Sequence, residues 1–391
     1  MLRLHNVALV TADGVVPHST IDIENGKIAA VYDKLLPTDP AVTVYDANGA
    51  FAAPGFVDIH VHGGGGISFM DATASQVCEA CLAHARFGTT TIVPTSLTAP
   101  MAELVGMIRT VTQAKDLLDT VTIAGVHVEG PFLSTAHCGA VDLSTMLAPT
   151  PQNYEPLLKA WEGGVRIMGI AAELDGAFAL GEELQKRGIV ASIAHSDADY
   201  DTCAKALQHG FSDITHIYSG CSMVHRKNAY RHGGVVEAGL LEDGFTVQMI
   251  ADGKHLPPEL LKLIYKCKGA DSISLITDAL LPAAAGLPEG TVLTLNGTDK
   301  MVLEDGVMKL ENRQAFAGSI ATTDRLVRNM VGLAGVPLWE AVKMASTTPA
   351  RVIGLGNQKG ALLEGYDADV VLLDADLQVR DVIARGTFIK R

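Results

Sequence analysis

No apolar run in this chain approaches the ~20 residues that cross a bilayer, so a membrane span is not expected. The opening residues MLRLHNVALVTADG show neither the apolar stretch nor the cleavage site of a secretory signal. Cysteine is sparse, with six residues in 391 and no spacing that reads as a disulfide framework. Those features point to a reducing, cytoplasmic location. Cys78 and Cys81 form a C-x-x-C, but no second pair stands at zinc-finger distance. They fall in a helix-like stretch, residues 74–87, and read as small buried hydrophobes. Positive charge is also short: 30 Lys and Arg against 44 Asp and Glu give a net charge of −14. Such a chain repels nucleic acid and anionic membrane, so neither is expected as a partner. Charged residues make up only 19% and hydrophobic residues 48%, which excludes a disordered chain and supplies a large core.

What is present is an alternation. Apolar strand-like runs lie at residues 55–62, 89–95, 121–129, 165–172, 189–195, 213–216, 246–251 and 272–278. Segments with helical periodicity separate most of them, at 101–118, 153–162, 178–187, 200–209 and 257–268. Eight strands in this order fit an α/β fold of the (β/α)8, TIM-like barrel type, whose strands are buried on both faces. A doubly wound open sheet would want G-x-G-x-x-G after its first strand. The GGGG at 63–66 does not match it. Both ends of the chain read as short strands with turns, marked by Asp13-Gly14 and Asn25-Gly26. We therefore expect residues 1–53 plus 358–391 to form a small β-sandwich domain and residues 54–357 to form the barrel. A β-like insertion is expected near 280–315, followed by helices at 321–333 and 338–353.

The chemistry-bearing residues sit where these strands end. His60 and His62 close the first strand and, two apart, face the same side. Glu129 closes the third, His195 the fifth, His216 the sixth and Asp278 the eighth. The C-terminal ends of barrel strands carry active sites. Four imidazoles and two carboxylates form a mixed nitrogen and oxygen set suited to zinc or a similar divalent metal. A single histidine at a strand end is ordinarily structural. Six candidate ligands in one layer point to metal-dependent hydrolysis.

The motifs P-G-F-V-D-I-H-V-H-G (54–63), H-V-E-G-P-F (127–132), A-H-S (194–196), T-H (215–216), A-D-G-K-H (251–255), T-D-A (277–279) and F-A-G-S (316–319) then follow in order. Together they resemble the N-acetylglucosamine-6-phosphate deacetylase family of the amidohydrolase superfamily. The resemblance implies hydrolysis of an N-acetylated amino-sugar 6-phosphate to the amino sugar and acetate by a homodimer. It also implies one or two divalent metals per chain, held by His60, His62, Glu129, His195, His216 and Asp278, with Asp278 as the proton shuttle. It assigns His255 and Arg231 to the sugar phosphate, the family's arginine often reaching it across a dimer interface, with Arg231 set in a basic cluster with His225, Arg226, Lys227 and His232. Two positions depart from the family pattern. Ser219-Gly220 replaces an Asn-Ala that meets phosphate, and Val141 stands where the family has a histidine near the acyl carbonyl. His137 is the nearby substitute. These departures leave two rival readings: an amidohydrolase for another N-acyl or cyclic amide, and a catalytically inactive barrel that acts as a binding protein.

Overall fold

The computed structural model describes residues 1–37, 39–137, 143–295 and 299–390 of a mixed α/β chain. The strands that carry the candidate residues are β1 (Phe56–Val61), β2 (Thr89–Pro94), β3 (Val126–Glu129), β4 (Val165–Ile170), β5 (Val190–Ile193), β6 (Phe211–Ile214), β7 (Thr246–Ile250) and β8 (Ile273–Ile276). All are parallel to their neighbours: β1 pairs with β2, and β3 through β8 pair in chain order. The two sheets approach each other at both edges. Thr95 bridges to His127 after β2, and Val61 bridges to Ala279 after β8. At the second of these edges the Asp278 amide donates to the His60 carbonyl (2.9 Å) and the His62 amide to the Ala279 carbonyl (2.8 Å).

Every residue of β1 is buried, as expected of a parallel strand covered on both faces. Its apolar members Val57 and Ile59 pack with Val93, Ile167, Ile250 and Ile276. Its polar members Asp58 and His60 alternate with them, so one face of the strand carries a buried polar column. Asp58 holds that column in register: its carboxylate accepts from the Thr277 hydroxyl and from the backbone amides of Thr277 and His60.

Residues from both termini share one eight-stranded sheet, in which Phe51–Pro54 lies between Leu2–Val10 and Val370–Leu373. Asn25 and Gly26, both with positive φ, form the two-residue turn between Val15–Glu24 and Lys27–Tyr32 that their sequence signals. The insertion after β8 is a four-stranded antiparallel sheet running from Val292 to Gly318.

Three expectations need correction. The run at 121–129 is broken into Thr122–Ile123, paired with β2, and β3, paired with β4. Between them Gly125 takes φ +146°, and a Cβ there would meet the Gly164 carbonyl oxygen at 2.3 Å. The single helix expected over 338–353 is two, Leu338–Ala345 and Thr347–Val352. Pro349 offers no amide and its ring crowds the carbonyl four residues back, which breaks the helix at Ser346. The helix around Cys78 and Cys81 ends at Ala85; both thiols are free and burial pushes both pKa values up, as core packing requires. Cys138 and Val141 lie outside the described residues. Among the described residues no helix is long and apolar enough to cross a membrane.

Candidate metal centre

Only His60 and Glu129 lie within their strands. His62 stands one residue past β1, and His195, His216 and Asp278 stand two residues past β5, β6 and β8. Each of the last three has positive φ (42°, 27° and 48°), which turns the chain out of strand pairing. The expectation that they close their strands is corrected accordingly, and the layer they form is unchanged.

Four imidazole nitrogens converge on the Glu129 carboxylate. Oε2 lies 3.3 Å from His60 Nε2 and 3.2 Å from His62 Nε2. Oε1 lies 2.8 Å from His216 Nε2 and 3.3 Å from His195 Nε2. Asp278 Oδ1 completes the group, 3.1 Å from His62 Nε2 and 3.5 Å from His60 Nε2. Two overlapping sets have donor atoms within 4.8 Å of one another: His60, His62 and Asp278, and His60, Glu129 and His216. His195 Nδ1 donates to the His137 carbonyl (2.8 Å), which leaves Nε2 as the ring's lone pair.

The electrostatics follow from this crowding. Burial alone raises a carboxyl pKa, but the His60 charge and the hydrogen bonds from His195 and His216 hold Glu129 well below the usual range. Burial also opposes ionisation of Asp278; the His62 hydrogen bond and the His60 and His62 charges bring it down to about 2. Burial lowers an imidazolium pKa, yet bonds to Asp278 and Glu129 raise His62 to about 10. His60 and His195 move up for the same kind of reason, while for His216 burial prevails and the pKa falls. His60 Nε2 and His62 Nε2 are only 3.2 Å apart. With both rings protonated on Nδ1 the two Nε2 lone pairs would face each other there, a contact that a cation held between them relieves. The nitrogen and oxygen donor set therefore fits a divalent ion.

A cavity of about 250 Å³ opens on this group, lined by His62, Glu129, His195, His216 and Asp278. Its remaining wall carries Leu97, Ser219, Gly220, His255 and residues 315–318 of the insertion. Asp252 holds His255: Oδ2 accepts from His255 Nδ1 at 2.8 Å, and Oδ1 accepts from two backbone amides. Burial would lower the His255 pKa, but the Asp252 bond and charge raise it. Gly220 has φ +58°, and a Cβ there would sit 2.5 Å from His195 Nδ1. The departure at this position therefore lets the loop pass directly against a candidate ligand.

Two anticipated substrate residues are elsewhere. The His137 side chain turns away to Asp197 (2.9 Å), and only its carbonyl serves the centre. Arg231 lies on an exposed two-stranded hairpin, His225–Lys227 paired with Tyr230–His232, and does not line the cavity of its own chain. Its place after β6 does not bring it to the site because the hairpin projects outward. Sequence reasoning missed Leu97 and gave Phe316 no role, although F-A-G-S was noted. It also missed Gln248 and Asp213, buried polar residues inside apolar strands, whose polarity was the available signal.

The amidohydrolase family's model matches residues 51–389. The chain belongs to the amidohydrolase family. It is 32% identical over 390 residues to an N-acetylglucosamine-6-phosphate deacetylase from Lysinibacillus sphaericus, covering 98% of this chain and 97% of the relative. It is 31% identical over 379 residues to an N-acetylgalactosamine-6-phosphate deacetylase from Escherichia coli O157:H7, covering 97% and 96%. A mutant N-acetyl-D-glucosamine-6-phosphate deacetylase from Mycobacterium smegmatis, solved with N-acetyl-D-glucosamine-6-phosphate, superposes with a TM-score of 0.90 at 32% identity, covering 100% of this chain and 99% of that one.

Proposed function

We propose that this chain is a metal-dependent amide hydrolase that removes the acetyl group from N-acetylglucosamine 6-phosphate. The carrying observation is the convergence of four histidines and two carboxylates on one end of a cavity whose other wall presents an aspartate-held histidine. In this reading the eight parallel strands close into a (β/α)8 barrel. Residues 54–357 form that barrel, and residues 1–53 with 358–391 form the small β-sandwich domain beside it.

His195, His216 and Glu129 would hold the principal divalent ion, and His60, His62 and Asp278, with Glu129 beside them, would hold a second. When bound, a divalent ion such as zinc supplies a Lewis acid for the amide carbonyl and lowers the pKa of the attacking water towards ~7. Asp278 takes that water's proton on a carboxylate oxygen and gives it to the departing amine nitrogen. Its depressed pKa keeps it ionised and ready to accept. His255 donates Nδ1–H to Asp252 and offers Nε2–H to an oxygen of the sugar phosphate. Leu97 and Phe316 give the cavity an apolar wall that excludes water around the acyl group. Arg231, exposed on its hairpin, binds phosphate in the cavity of a neighbouring copy of the chain, so a homodimer completes the site; the guanidinium matches phosphate bidentately. We place this activity in the cytoplasm, on the sparse cysteine usage.

A second reading, the galacto epimer as substrate, is favoured by the near-equal identity to relatives of both names. A panel of N-acetylglucosamine and N-acetylgalactosamine, each with and without 6-phosphate, assayed for free amine and acetate, separates these readings. Release from the phosphorylated gluco sugar above the others is the expected result. Equal release with and without phosphate, or none from any, overturns the proposal.

A further inference from the structure

His60 sits at the junction of both candidate ligand sets, and its ring is useful there only if Nε2 is a lone pair. Its other nitrogen leads into a buried chain of polar groups. His60 Nδ1 lies 2.9 Å from Gln248 Oε1, and Gln248 Nε2 lies 2.8 Å from Asp213 Oδ2. Ser192 Oγ also donates to Asp213 Oδ2 (2.8 Å) and contacts Thr215 Oγ1 (2.7 Å), while Thr246 Oγ1 donates to Asp213 Oδ1 (2.6 Å). His60, Gln248, Asp213 and Ser192 have no solvent exposure.

The polarity of this chain is dictated from its far end. The Ser192 and Thr246 hydroxyls each donate to one Asp213 oxygen, so the carboxylate faces Gln248 as an acceptor. Turning the Gln248 amide over would set Oε1 against Asp213 Oδ2, oxygen to oxygen at about 2.8 Å, too close for a water to stand between them. The amide is therefore held with its NH2 toward Asp213 and its oxygen toward His60. That oxygen must receive a hydrogen, so the neutral His60 ring carries its proton on Nδ1 and presents a bare Nε2.

We propose that Asp213 and Gln248 are positioning residues that fix the tautomer of His60 and so prepare its Nε2 to ligate a metal ion. The inference rests on the metal-centre reading. Outer partners of metal-bound histidines, when removed, typically cost about 10- to 100-fold in metal affinity. Asp213 acts through Gln248, so its effect is expected to vanish once the glutamine is gone.

Two measurements on the full-length protein test this. In the first, Zn²⁺ is titrated into chelator-treated wild type, Gln248→Met, Asp213→Asn, the Gln248→Met/Asp213→Asn double variant and the Gln248→Glu/Asp213→Asn double variant. Gln248→Met is expected to weaken Zn²⁺ binding about 10- to 100-fold, and adding Asp213→Asn to it should cost nothing further. Gln248→Glu/Asp213→Asn exchanges the acid and the amide. The carboxylate introduced at position 248 would accept both from His60 Nδ1 and from the new amide at position 213. This variant should therefore recover most of the affinity, a rescue that a purely structural role would not produce. In the second, long-range proton–nitrogen NMR, on metal-free protein titrated upward in pH until the His60 ring is neutral, reads its tautomer, with His60→Asn to assign the signal. Nδ1–H in wild type, mixed or lost in Gln248→Met and restored in the exchange variant, supports the proposal. Nε2–H in wild type overturns it, as does unchanged Zn²⁺ affinity in Gln248→Met. If wild type binds no Zn²⁺ at all, the metal-centre reading and the ligating role both fall, and the NMR result decides the tautomer relay by itself. Should Gln248→Met fail to fold, Asp213→Asn against the exchange variant gives the same comparison.

Discussion

Glu129→Gln isolates the charge at the middle of the centre while keeping the side chain's shape. In the structure each carboxylate oxygen faces two imidazole nitrogens, at 3.2 and 3.3 Å on one side and 2.8 and 3.3 Å on the other. The amide keeps one oxygen toward one pair and turns an NH2 toward the other. It carries no charge to offset a divalent ion and is a poor ligand for two. Removing one partner from a buried charge cluster costs roughly 3–5 kcal/mol, which at about 1.4 kcal/mol per tenfold is a loss of about 10²–10⁴ in metal affinity. Dialysis against graded chelator, followed by elemental analysis and turnover on the same samples, reads the effect. Metal and activity should be lost together, at chelator concentrations that leave wild type loaded. A Glu129→Gln protein that retains wild-type metal content and turnover across the same series would show that the carboxylate is not at the metal.

Asp278→Asn should lower turnover roughly 10²–10⁴-fold, the range for a positioned acid–base group, with less loss of metal than Glu129→Gln; steady-state kinetics beside elemental analysis check both. Arg231→Ala should reduce kcat/KM for phosphorylated substrates about 10- to 150-fold, from roughly 1.5–3 kcal/mol of charge-assisted contact, and leave plain N-acetyl sugars unchanged. In metal-free protein, His62 at about 10 is raised above its unfolded value of ~6.5, so its contribution is full below that value and is lost as pH rises towards 10. Asp278 at about 2 is depressed, so its contribution is present above ~3.9 and lost as pH falls towards 2. The melting temperature of metal-free protein should therefore fall between pH 6.5 and 10, and metal added at pH 7.5 should release protons, seen by calorimetry in buffers of different ionisation enthalpy.

The strand pattern was legible because parallel strands buried on both faces are mostly apolar, and the runs at 165–172 and 246–251 are so apart from Arg166, Thr246 and Gln248. The candidate ligands were legible for the complementary reason: His60 and Glu129 interrupt such runs with groups that the interior tolerates only when paired. That Arg231 stands outside the cavity of its own chain was not legible, because a hairpin's direction depends on Asn228 and Ala229, both at positive φ, and nothing in the residue types says which way it projects. His137 was read by its side chain, whereas the centre uses its carbonyl, and every residue has one. Gln248 and Asp213 carried the same signal as His60, a polar residue in an apolar strand. They fall below the strand ends, where only their partners give them meaning.

His195, His216 and Asp278 expose how the site and the fold compete. A left-handed conformation costs a residue with a Cβ roughly 1–2 kcal/mol relative to the right-handed one, and glycine would occupy all three positions with less strain. The surrounding loops hold each one in place. The His195 carbonyl accepts from Ser134 (2.9 Å), the His216 carbonyl from Ser219 (2.9 Å), and the Asp278 carbonyl from Ser319 (3.0 Å). Those three donors come from three separate loops, so the backbone turns are determined independently rather than by one shared distortion. A sequence shaped only for stability would place glycine at these turns. Histidine and aspartate stand there because the turn, two residues past each strand, brings their side chains to the one layer where Glu129 already points. Positive φ also occurs in turns such as Asn25, Asn48 and Leu377, so it does not mark the site by itself; what sets these three apart is that each stands two residues past a parallel strand, at the end of the sheet where Glu129 points.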